Sequence, residues 1–430
     1  MSAPDFIKRS AAHAVEQDRA LSDSVARMLA ELETGGEAVA QRMARDLDRF
    51  EGDIVVSDEA IAAACKRVPQ KLKDDIAWAQ ENIARFAQAQ RDSIRETEVE
   101  LRPGLVAGQR LIPVQAAGCY VPGGRYSHIA SAMMTVTTAK IAGVPHIAAV
   151  SPPRADAPAG VPDAILYTLN LCGADRVLAL GGIQGVAAMA FGLFGLPRAD
   201  ILVGPGNQYV AEAKRLLYGR VGIDMVAGPT DSLVIADRTA DPLVVAWDLI
   251  GQAEHGANSP VWLVTDSAEL ATEVARLAPL CAEELPEPNR SAAKAAWDGL
   301  GEIILCKDRD EMAAEADRIA PEHLHVQAAD LDWWKGRLCC YGSLFLGEDS
   351  TVAFGDKAAG TNHVLPTSGA ARYTGGLSVH KFLKTVTWQQ VDHRALPRLA
   401  AVTASISRFE GMEGHARTAD IRLARLGQNS

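Results

Sequence analysis

The first hundred residues carry apolar positions at helical spacing. Alanine, leucine, isoleucine and valine recur every three or four positions over residues 22–33, 36–50, 58–68 and 70–91, with charged side chains on the opposite face. Four successive helices are therefore predicted. They form a lid or an interaction layer for the rest of the chain.

The pattern changes near Gly104, where helical spacing gives way to short runs of β-branched residues that end in glycine or a turn. These runs include RVLALGG, ADILVGPGN, SLVIAD and VWLVTD, and helical segments over residues 131–141, 183–192, 208–218 and 241–254 lie among them. Alternation of strand and helix at this spacing is typical of a parallel sheet covered by helices on both faces. The sequence therefore predicts an α/β fold that continues to about residue 374 and ends in a mostly helical tail.

Composition and charge narrow the class of partner. The 430 residues are 48% hydrophobic, and the formal charge of −11 comes without a long basic run. This balance argues against nucleic acid or an anionic membrane surface as the main partner. The charged N-terminus lacks the apolar core of a signal peptide, and no stretch of about 18 apolar residues occurs, so a cytoplasmic location is expected.

The cysteines do not suggest a metal site. All seven lack CxxC or zinc-knuckle spacing, and most lie in apolar surroundings, where reduced core cysteine is expected. A metal ion must then be held by imidazole, carboxylate or amide groups, which suit zinc or manganese. The candidates are Gln252 and His255, which are three positions apart at the end of the predicted helix 241–254 and just beyond it and would share one face, together with Asp356 and a second pair, Glu410 and His415. An ordinary polar helix end is the alternative.

Three glycine turns, YVPGG, GGIQ and GPGN, close strands in the middle of the chain. Backbone N–H groups at such turns, with a helix N-terminus behind them, suit a phosphate, although the GxGxxG dinucleotide fingerprint is absent. Tyr120 can stack on a nucleotide base, and Gln184 and Asn207 can hydrogen-bond the base or the ribose. Each turn alone is compatible with an ordinary strand end, but three in one sheet favour a ligand.

Two further stretches carry acid and base groups. Residues 340–363, CYGSLFLGEDSTVAFGDKAAGTNH, combine a buried-strand pattern with glycines, acids, a lysine and a histidine, which suits an active-site loop; an ordinary surface loop is the alternative. Glu322 and His323 follow Pro321, and adjacent side chains diverge, so they suit two roles. The histidine can take a hydroxyl proton and the glutamate can activate a water; a solvated helix start is the alternative.

Taken together and in this order, GPGN, GQAEHG, APEHL and GTNHVLPT closely resemble the motifs of the histidinol dehydrogenase family, and the resemblance covers nearly the whole chain. It implies an aldehyde-dehydrogenase-like α/β architecture with two Rossmann-like parallel-sheet domains plus small helical N- and C-terminal segments. It also implies an intertwined homodimer with shared active sites, one zinc ion per subunit, and two successive NAD-dependent oxidations of a primary alcohol to a carboxylate.

On this pattern the domains are an N-terminal helical segment 1–26, a discontinuous α/β domain 27–119 and 232–375 with the metal and catalytic residues, a Rossmann-like NAD-binding domain 120–231, and a helical tail 376–430 that contributes to the dimer partner's site. The family's functional positions also fall on residues of this chain. They are Gln252, His255, Asp356 and His415 for zinc, with His415 reaching the neighbouring subunit, Glu322 and His323 for acid and base catalysis, Tyr120, Gln184 and Asn207 for NAD, and His363 and Glu410 for the substrate pocket.

Departures from the family pattern bear on the substrate. Other residue types are usual in the family at four positions, namely Thr230 (usually serine), His325 (an acid), Val352 (an acid) and Lys357 (tyrosine). Loss of a carboxylate and gain of a lysine move the pocket charge towards positive, which disfavours an aminoalcohol cation and favours an anion. Arg125 and His128 add to that direction if they face the pocket.

This set of variants resembles the sulfopropanediol 3-dehydrogenase branch of the family. The implied substrate is a small anionic polyol, 2,3-dihydroxypropane-1-sulfonate, oxidised through an aldehyde to 3-sulfolactate in organosulfonate catabolism. The alternatives are oxidation of L-histidinol to L-histidine, a zinc metallohydrolase in which Glu322 activates a water, and a catalytically silent metal-binding protein.

Overall fold

The computed structural model describes residues 5–10, 19–123, 128–226 and 228–428. The chain divides into two compact units, of which the larger comprises Met1–Gln90 and Val114–Phe382 and the smaller comprises Arg91–Pro113 and Leu383–Ser430. None of the helices in these described ranges is both long enough and apolar enough to cross a membrane.

The strands in chain order are β1 (Asp5–Lys8), β2 (Thr97–Arg102), β3 (Leu105–Pro113), β4 (Ala116–Tyr120), β5 (His146–Ser151), β6 (Arg176–Ala179), β7 (Ile201–Val203), β8 (Gly222–Ile223), β9 (Ser232–Ala236), β10 (Val261–Thr265), β11 (Glu302–Leu305), β12 (His323–Gln327), β13 (Ser343–Leu346) and β14 (Leu383–Val391). The α-helices are α1 (Arg19–Leu47), α2 (Asp58–Arg67), α3 (Gln70–Asp92), α4 (Ile129–Ala142), α5 (Asp163–Cys172), α6 (Gly182–Phe191), α7 (Gln208–Leu217), α8 (Pro242–Ala253), α9 (Ala268–Glu284), α10 (Asn289–Leu300), α11 (Arg309–Ile319), α12 (Leu331–Arg337), α13 (Val352–Lys357), α14 (Leu396–Phe409) and α15 (Glu413–Gln428).

The predicted N-terminal helices are confirmed, with one difference. The first two predicted helices form the single element α1, which bends at Gly36, where φ is 57° and ψ is −140°. Only glycine adopts such a backbone readily, so the kink marks the boundary that the sequence pattern shows at this point. Helix α2 starts at Ser57, whose side chain accepts a hydrogen bond from the backbone N–H of Ala60.

The first parallel sheet has five strands in the order β6-β5-β4-β7-β8. Each of its neighbouring pairs is parallel, and the connections pass through helices, as the alternating pattern predicts. One core of this sheet includes Val25 and Leu32 of α1 and Met189 of α6, all buried. The N-terminal helix layer is therefore part of the sheet's own core.

The second sheet has six strands in the order β1-β11-β10-β9-β12-β13, parallel except for the pairing of β1 with β11. Alternate residues of β9 enter opposite cores, with Val234 packed in the core of α8, α9 and α10 and Leu233 in the core of α11 and α12. This alternation with period two is the reason that the strand reads as continuously apolar. The predicted α/β fold with parallel sheets is confirmed. Its aldehyde-dehydrogenase-like character and the domain boundaries given above stay predictions.

The smaller unit contains a three-stranded antiparallel sheet in the order β14-β3-β2. Its helices α14 and α15 pack through small residues, Ala400 and Ala404 against Ala416 and Ala419. The tail that the sequence pattern predicts to be mostly helical thus also contains the nine-residue strand β14.

Candidate active site

A cavity of about 1140 Å³ lies between the edges of the two parallel sheets. Tyr120, Gln184 and Asn207 reach it from the carboxyl edge of the five-stranded sheet, where β4, β6 and β7 end. Glu322 and His323 reach it from the amino edge of the six-stranded sheet, where β12 begins beside β9. This volume exceeds that of a usual drug-sized site, about 300–1000 Å³.

The cavity gathers most of the residues that the sequence predicts as functional. Ten of them line it, namely Tyr120, His128, Gln184, Asn207, Thr230, His255, Glu322, His323, Asp356 and His363. Arg125 lies outside the described residues. Glu410 and His415 are exposed residues of the smaller unit, and their place in an active site stays a prediction.

His323 is held in one orientation by the backbone of Asp231. Its ring Nδ1 lies 3.1 Å from the Asp231 carbonyl oxygen, which can only accept, so Nδ1 carries the hydrogen. Nε2 is buried and has no hydrogen-bond partner among the described residues; Asp356 Oδ1 lies 3.5 Å away. Burial lowers the pKa of His323, but the carboxylates of Glu322 and Asp356 outweigh it and raise the pKa to about 9. Nε2 is therefore the nitrogen that can take a proton.

Glu322 is a buried carboxyl group whose pKa is tuned upward. Burial, aided by the nearby charge of Asp231, raises its pKa to about 8 against the opposing effect of His323. Its Oε2 accepts a hydrogen bond of 3.1 Å from the Asp231 backbone N–H. A carboxyl group with a pKa near neutral can both give and take a proton at working pH.

Asp231 forms hydrogen bonds with both Glu322 and His323. Its role is not predicted from the sequence. Its Oδ1 accepts a hydrogen bond of 2.6 Å from the Glu322 N–H, and its Oδ2 accepts one of 3.0 Å from the Ser368 N–H. The side chain is 4% exposed, so these bonds are shielded from water. The signal in the sequence is the acid that ends GPTD, directly before β9.

The proposed metal donors come from three positions, of which His255 and Asp356 line the cavity and Gln252 is not among the lining residues. Gln252 is on α8, its Oε1 is buried, and this atom has no hydrogen-bond partner among the described residues. Asp356 is on α13. Helix α8 ends at Ala253, so His255 is positioned by a turn, in which its N–H donates to the Gln252 carbonyl at 3.2 Å, and the expected shared helical face is not what places it.

Electrostatic interactions link two of these donors, His255 and Asp356. Burial raises the pKa of Asp356, but the imidazole of His323, with those of His363 and His255, outweighs it and lowers the pKa to about 2. Within the described residues, the close cluster of metal-binding side chain types is Asp317, Cys339 and Cys340, none of which lines the cavity. The proposed zinc donors instead combine an imidazole and a carboxylate with the side-chain amide of Gln252.

His363 connects two elements at the cavity wall. Its Nε2 lies 2.9 Å from Ser131 Oγ of α4, and its Nδ1 lies 3.2 Å from the backbone carbonyl oxygen of Asp356. Burial lowers the pKa of His363 to about 4 and that of His128 also to about 4. The positive charge of Lys357 contributes to both shifts, although Lys357 itself is exposed and not among the lining residues.

His325 does not face the cavity, although the sequence analysis counts it among the changes in pocket charge. It is fully buried in β12, where its Nε2 donates to the Gly347 carbonyl at 2.8 Å and its Nδ1 lies 3.3 Å from Asp248 Oδ2. Val352 is likewise buried and absent from the cavity lining. Of the four departures, only Lys357 therefore still favours an anionic substrate by its charge.

Tyr120 and Asn207, two of the residues predicted to contact NAD, form hydrogen bonds within the protein. The Tyr120 hydroxyl oxygen accepts from the Gly182 N–H at 3.1 Å. Asn207 Oδ1 caps α7 by accepting from Tyr209 and Val210 N–H groups at 3.0 and 3.1 Å. The N–H groups of Gly182, Tyr209 and Val210 thus already have hydrogen-bond acceptors within the protein. A phosphate at these turns would have to bind other backbone N–H groups.

A buried ion pair fixes the GPGN turn. Lys214 Nζ donates to the Gly204 carbonyl at 2.9 Å and also contacts the Asp224 carboxylate, while the Gly204 N–H donates to Asp224 Oδ2 at 2.7 Å. Gly204 has a φ of 108°, and a Cβ there would lie 2.1 Å from the Tyr120 carbonyl oxygen. Only glycine allows this close approach of two strand ends.

Comparison with known proteins finds relatives that match nearly the whole chain. The family model described as Histidinol dehydrogenase matches residues 11–423. The chain is 70% identical over 405 residues to a histidinol dehydrogenase homolog of Ruegeria pomeroyi, covering 94% of this chain and 93% of that protein. It is 61% identical over 421 residues to the sulfopropanediol 3-dehydrogenase of the same organism, covering 98% and 96%. The crystal structure of histidinol dehydrogenase from Elizabethkingia anophelis matches with a TM-score of 0.90 at 32% identity, covering 98% of this chain and 95% of that one.

Proposed function

This chain belongs to the histidinol dehydrogenase family, and we propose that it is an NAD-dependent oxidoreductase that converts a primary alcohol to a carboxylate in two successive oxidations. The observation that carries the proposal is the buried Nε2 of His323, which has no hydrogen-bond partner among the described residues and lies on a cavity that Tyr120, Gln184 and Asn207 also line. The cavity is large enough for NAD and substrate together. When bound, NAD supplies the hydride acceptor.

His323 acts as the base that takes the hydroxyl proton. Its Nδ1–H is fixed on the Asp231 carbonyl, so the neutral ring, which forms as the pH approaches its pKa of about 9, has its lone pair on Nε2. The carboxylates of Glu322 and Asp356 stabilise the imidazolium that results, which is the physical reason for the raised pKa of His323. The first oxidation then needs no movement of the ring.

Glu322 serves the second stage, in which water adds to the aldehyde. Its pKa of about 8 leaves a fraction of the group ionised at neutral pH, and this carboxylate can remove a proton from water and return it. The side chains of Glu322 and His323 diverge from neighbouring backbone positions, and the Glu322 N–H donates to Asp231 Oδ1 at 2.6 Å. Each of the two side chains therefore keeps a separate position in the cavity.

The residues present fit a zinc ion. Gln252 has a buried amide oxygen without a hydrogen-bond partner among the described residues, which a cation would satisfy. His255 and Asp356 add an imidazole and a carboxylate whose pKa is held low, so it is ionised when it binds a cation. We assign the fourth position to His415 of the partner subunit, in a homodimer. When bound, the ion orients and polarises the substrate's oxygen atoms.

For the substrate we propose 2,3-dihydroxypropane-1-sulfonate, oxidised to 3-sulfolactate. Support comes from the 61% identity to a sulfopropanediol 3-dehydrogenase, against 38% to the histidinol dehydrogenase of Thermus thermophilus. Lys357 adds a positive charge that acts on His128, His255 and His363 at the cavity. A sulfonate gains from that charge and an aminoalcohol cation does not. L-histidinol is the alternative, favoured by the family model.

A substrate panel tests the proposal. Purified protein with zinc is given dihydroxypropanesulfonate, L-histidinol or a sugar alcohol, and NADH formation and product mass are measured. The proposal expects two NADH per sulfonate consumed and an acid product. Robust NADH formation with histidinol and none with the sulfonate refutes the substrate. Absence of NAD binding in calorimetry, with zinc retained, would instead favour the metallohydrolase.

A further inference from the structure

Asp48 places a carboxylate on the wall of the cavity, directly after α1. Its Oδ2 accepts hydrogen bonds from Gln184 Nε2 at 2.7 Å and from the Gly181 N–H at 3.1 Å. These two bonds fix the carboxylate against the start of α6. Oδ1 has no hydrogen-bond partner among the described residues, so it keeps its capacity to accept from a ligand.

The neighbours of Asp48 place it on the opposite wall of the cavity from the reacting groups. It is bonded to residues at the carboxyl edge of the five-stranded sheet, whereas His323 and Glu322 belong to the amino edge of the other sheet. Hydride transfer requires the nicotinamide ring beside His323, which leaves the wall at Asp48 for the other end of the dinucleotide. Leu47 and Tyr209 also line the cavity and are 58% and 43% exposed, which offers apolar surface for a purine ring.

The charge of the wall decides which part of the nucleotide Asp48 can face. A carboxylate repels phosphate and accepts hydrogen bonds from neutral hydroxyl groups, and an acid on the ribose hydroxyls is the usual mark of NAD sites. Among the described residues that line the cavity there is no lysine or arginine. A 2′-phosphate on the adenosine ribose would therefore meet a negative charge and no cation among the described lining residues.

We propose that Asp48 accepts hydrogen bonds from the adenosine ribose hydroxyls and thereby selects NAD over NADP. The inference deepens the proposed function and rests on it, because it requires a nicotinamide dinucleotide in this cavity. It assigns the selective acid to the end of an N-terminal helix, in a chain without the GxGxxG fingerprint.

Calorimetric binding to the full-length protein tests the assignment with NAD and NADP as ligands. Asp48→Asn keeps the shape and one acceptor oxygen but removes the charge. Asp46→Asn is the matched control, because Asp46 is an exposed acid of the same helix, 3.9 Å from Arg42 and not in the cavity lining. We expect Asp48→Asn to weaken NAD binding by about 10- to 100-fold, the value of a hydrogen bond to a charged group. The NADP-to-NAD ratio of Kd should fall by at least tenfold, and the control should match the unchanged protein.

A second measurement uses the unchanged protein and so does not depend on the folding of a variant. An NAD analogue that lacks the 2′-hydroxyl of the adenosine ribose should bind at least about fivefold more weakly than NAD. Equal binding of NAD and this analogue overturns the inference, as does an unaltered NADP-to-NAD ratio in folded Asp48→Asn that still binds NAD. Failure of the unchanged protein to bind NAD at all overturns the proposed function together with the inference.

Discussion

Replacing Asp231 by asparagine tests whether its hydrogen bonds position the acid and base pair. The two carboxylate oxygens accept backbone N–H groups from two different segments, at Glu322 and at Ser368. Asparagine has nearly the same size but turns one of these oxygens into an NH₂ group. A donor then faces a donor in a buried place, so one of the two segments must move.

The expected magnitude follows from these contacts. Loss of a hydrogen bond to a charged group costs about 1.5–3 kcal/mol, and the donor left without a partner costs about 1–3 kcal/mol. Burial raises the pKa of Asp231, so removing the buried charge returns part of this cost. We expect the free energy of unfolding to fall by about 2–4 kcal/mol. A shift of the Glu322 backbone by about 1 Å should lower kcat by about 100-fold.

The assay separates positioning from general destabilisation. Urea unfolding gives stability, steady-state kinetics give kcat and KM, and calorimetry gives NAD affinity, which should not change. The matched control is Asp237→Asn at the other end of β9, where Oδ1 accepts from the Thr239 N–H and Oδ2 from the Ala329 N–H, both at 2.8 Å. Asp237 does not line the cavity, so the control should lose stability but keep kcat. Equal kcat in the two variants at equal stability would refute the reasoning.

Other changes in the cavity have distinct expected outcomes. Lys357→Tyr should raise KM for a sulfonate by about tenfold, one charge contact of about 1.4 kcal/mol, and leave zinc content unchanged; loss of zinc by elemental analysis would show that the loop is misassigned. Gln252→Leu should weaken zinc binding by at least about tenfold in chelator titration without lowering the stability of the metal-free chain, because it removes a buried unpaired oxygen. The raised pKa keeps His323 protonated at neutral pH, so kcat/KM for the first oxidation should increase as pH rises towards about 9. Glu322→Gln removes one of the carboxylates that raise the pKa of His323, so kcat/KM should begin to increase at lower pH. A pH profile of kcat/KM that matches that of the unchanged protein would contradict the assignment of His323 as the base.

The sequence by itself determined the elements and the chemistry of the site. Helical spacing and apolar runs are local properties, so α2, α3 and the glycine-closed strands fall within a few residues of their predicted bounds. Motifs are equally local, and they predict His323, Glu322 and Asp356 as a base, an acid and a metal donor before any geometry is known.

The tertiary structure decided which of these residues meet. Asp231 and Glu322 are 91 positions apart, and Asp48 and Gln184 are 136 positions apart, yet each pair shares a hydrogen bond. His325 departs from the family pattern as clearly as Lys357 does, but it is buried in β12, away from the cavity. No local pattern carries such pairings, because they depend on how the carboxyl edge of one sheet faces the amino edge of the other. That packing, which brings distant segments into contact, fixes the role of each side chain.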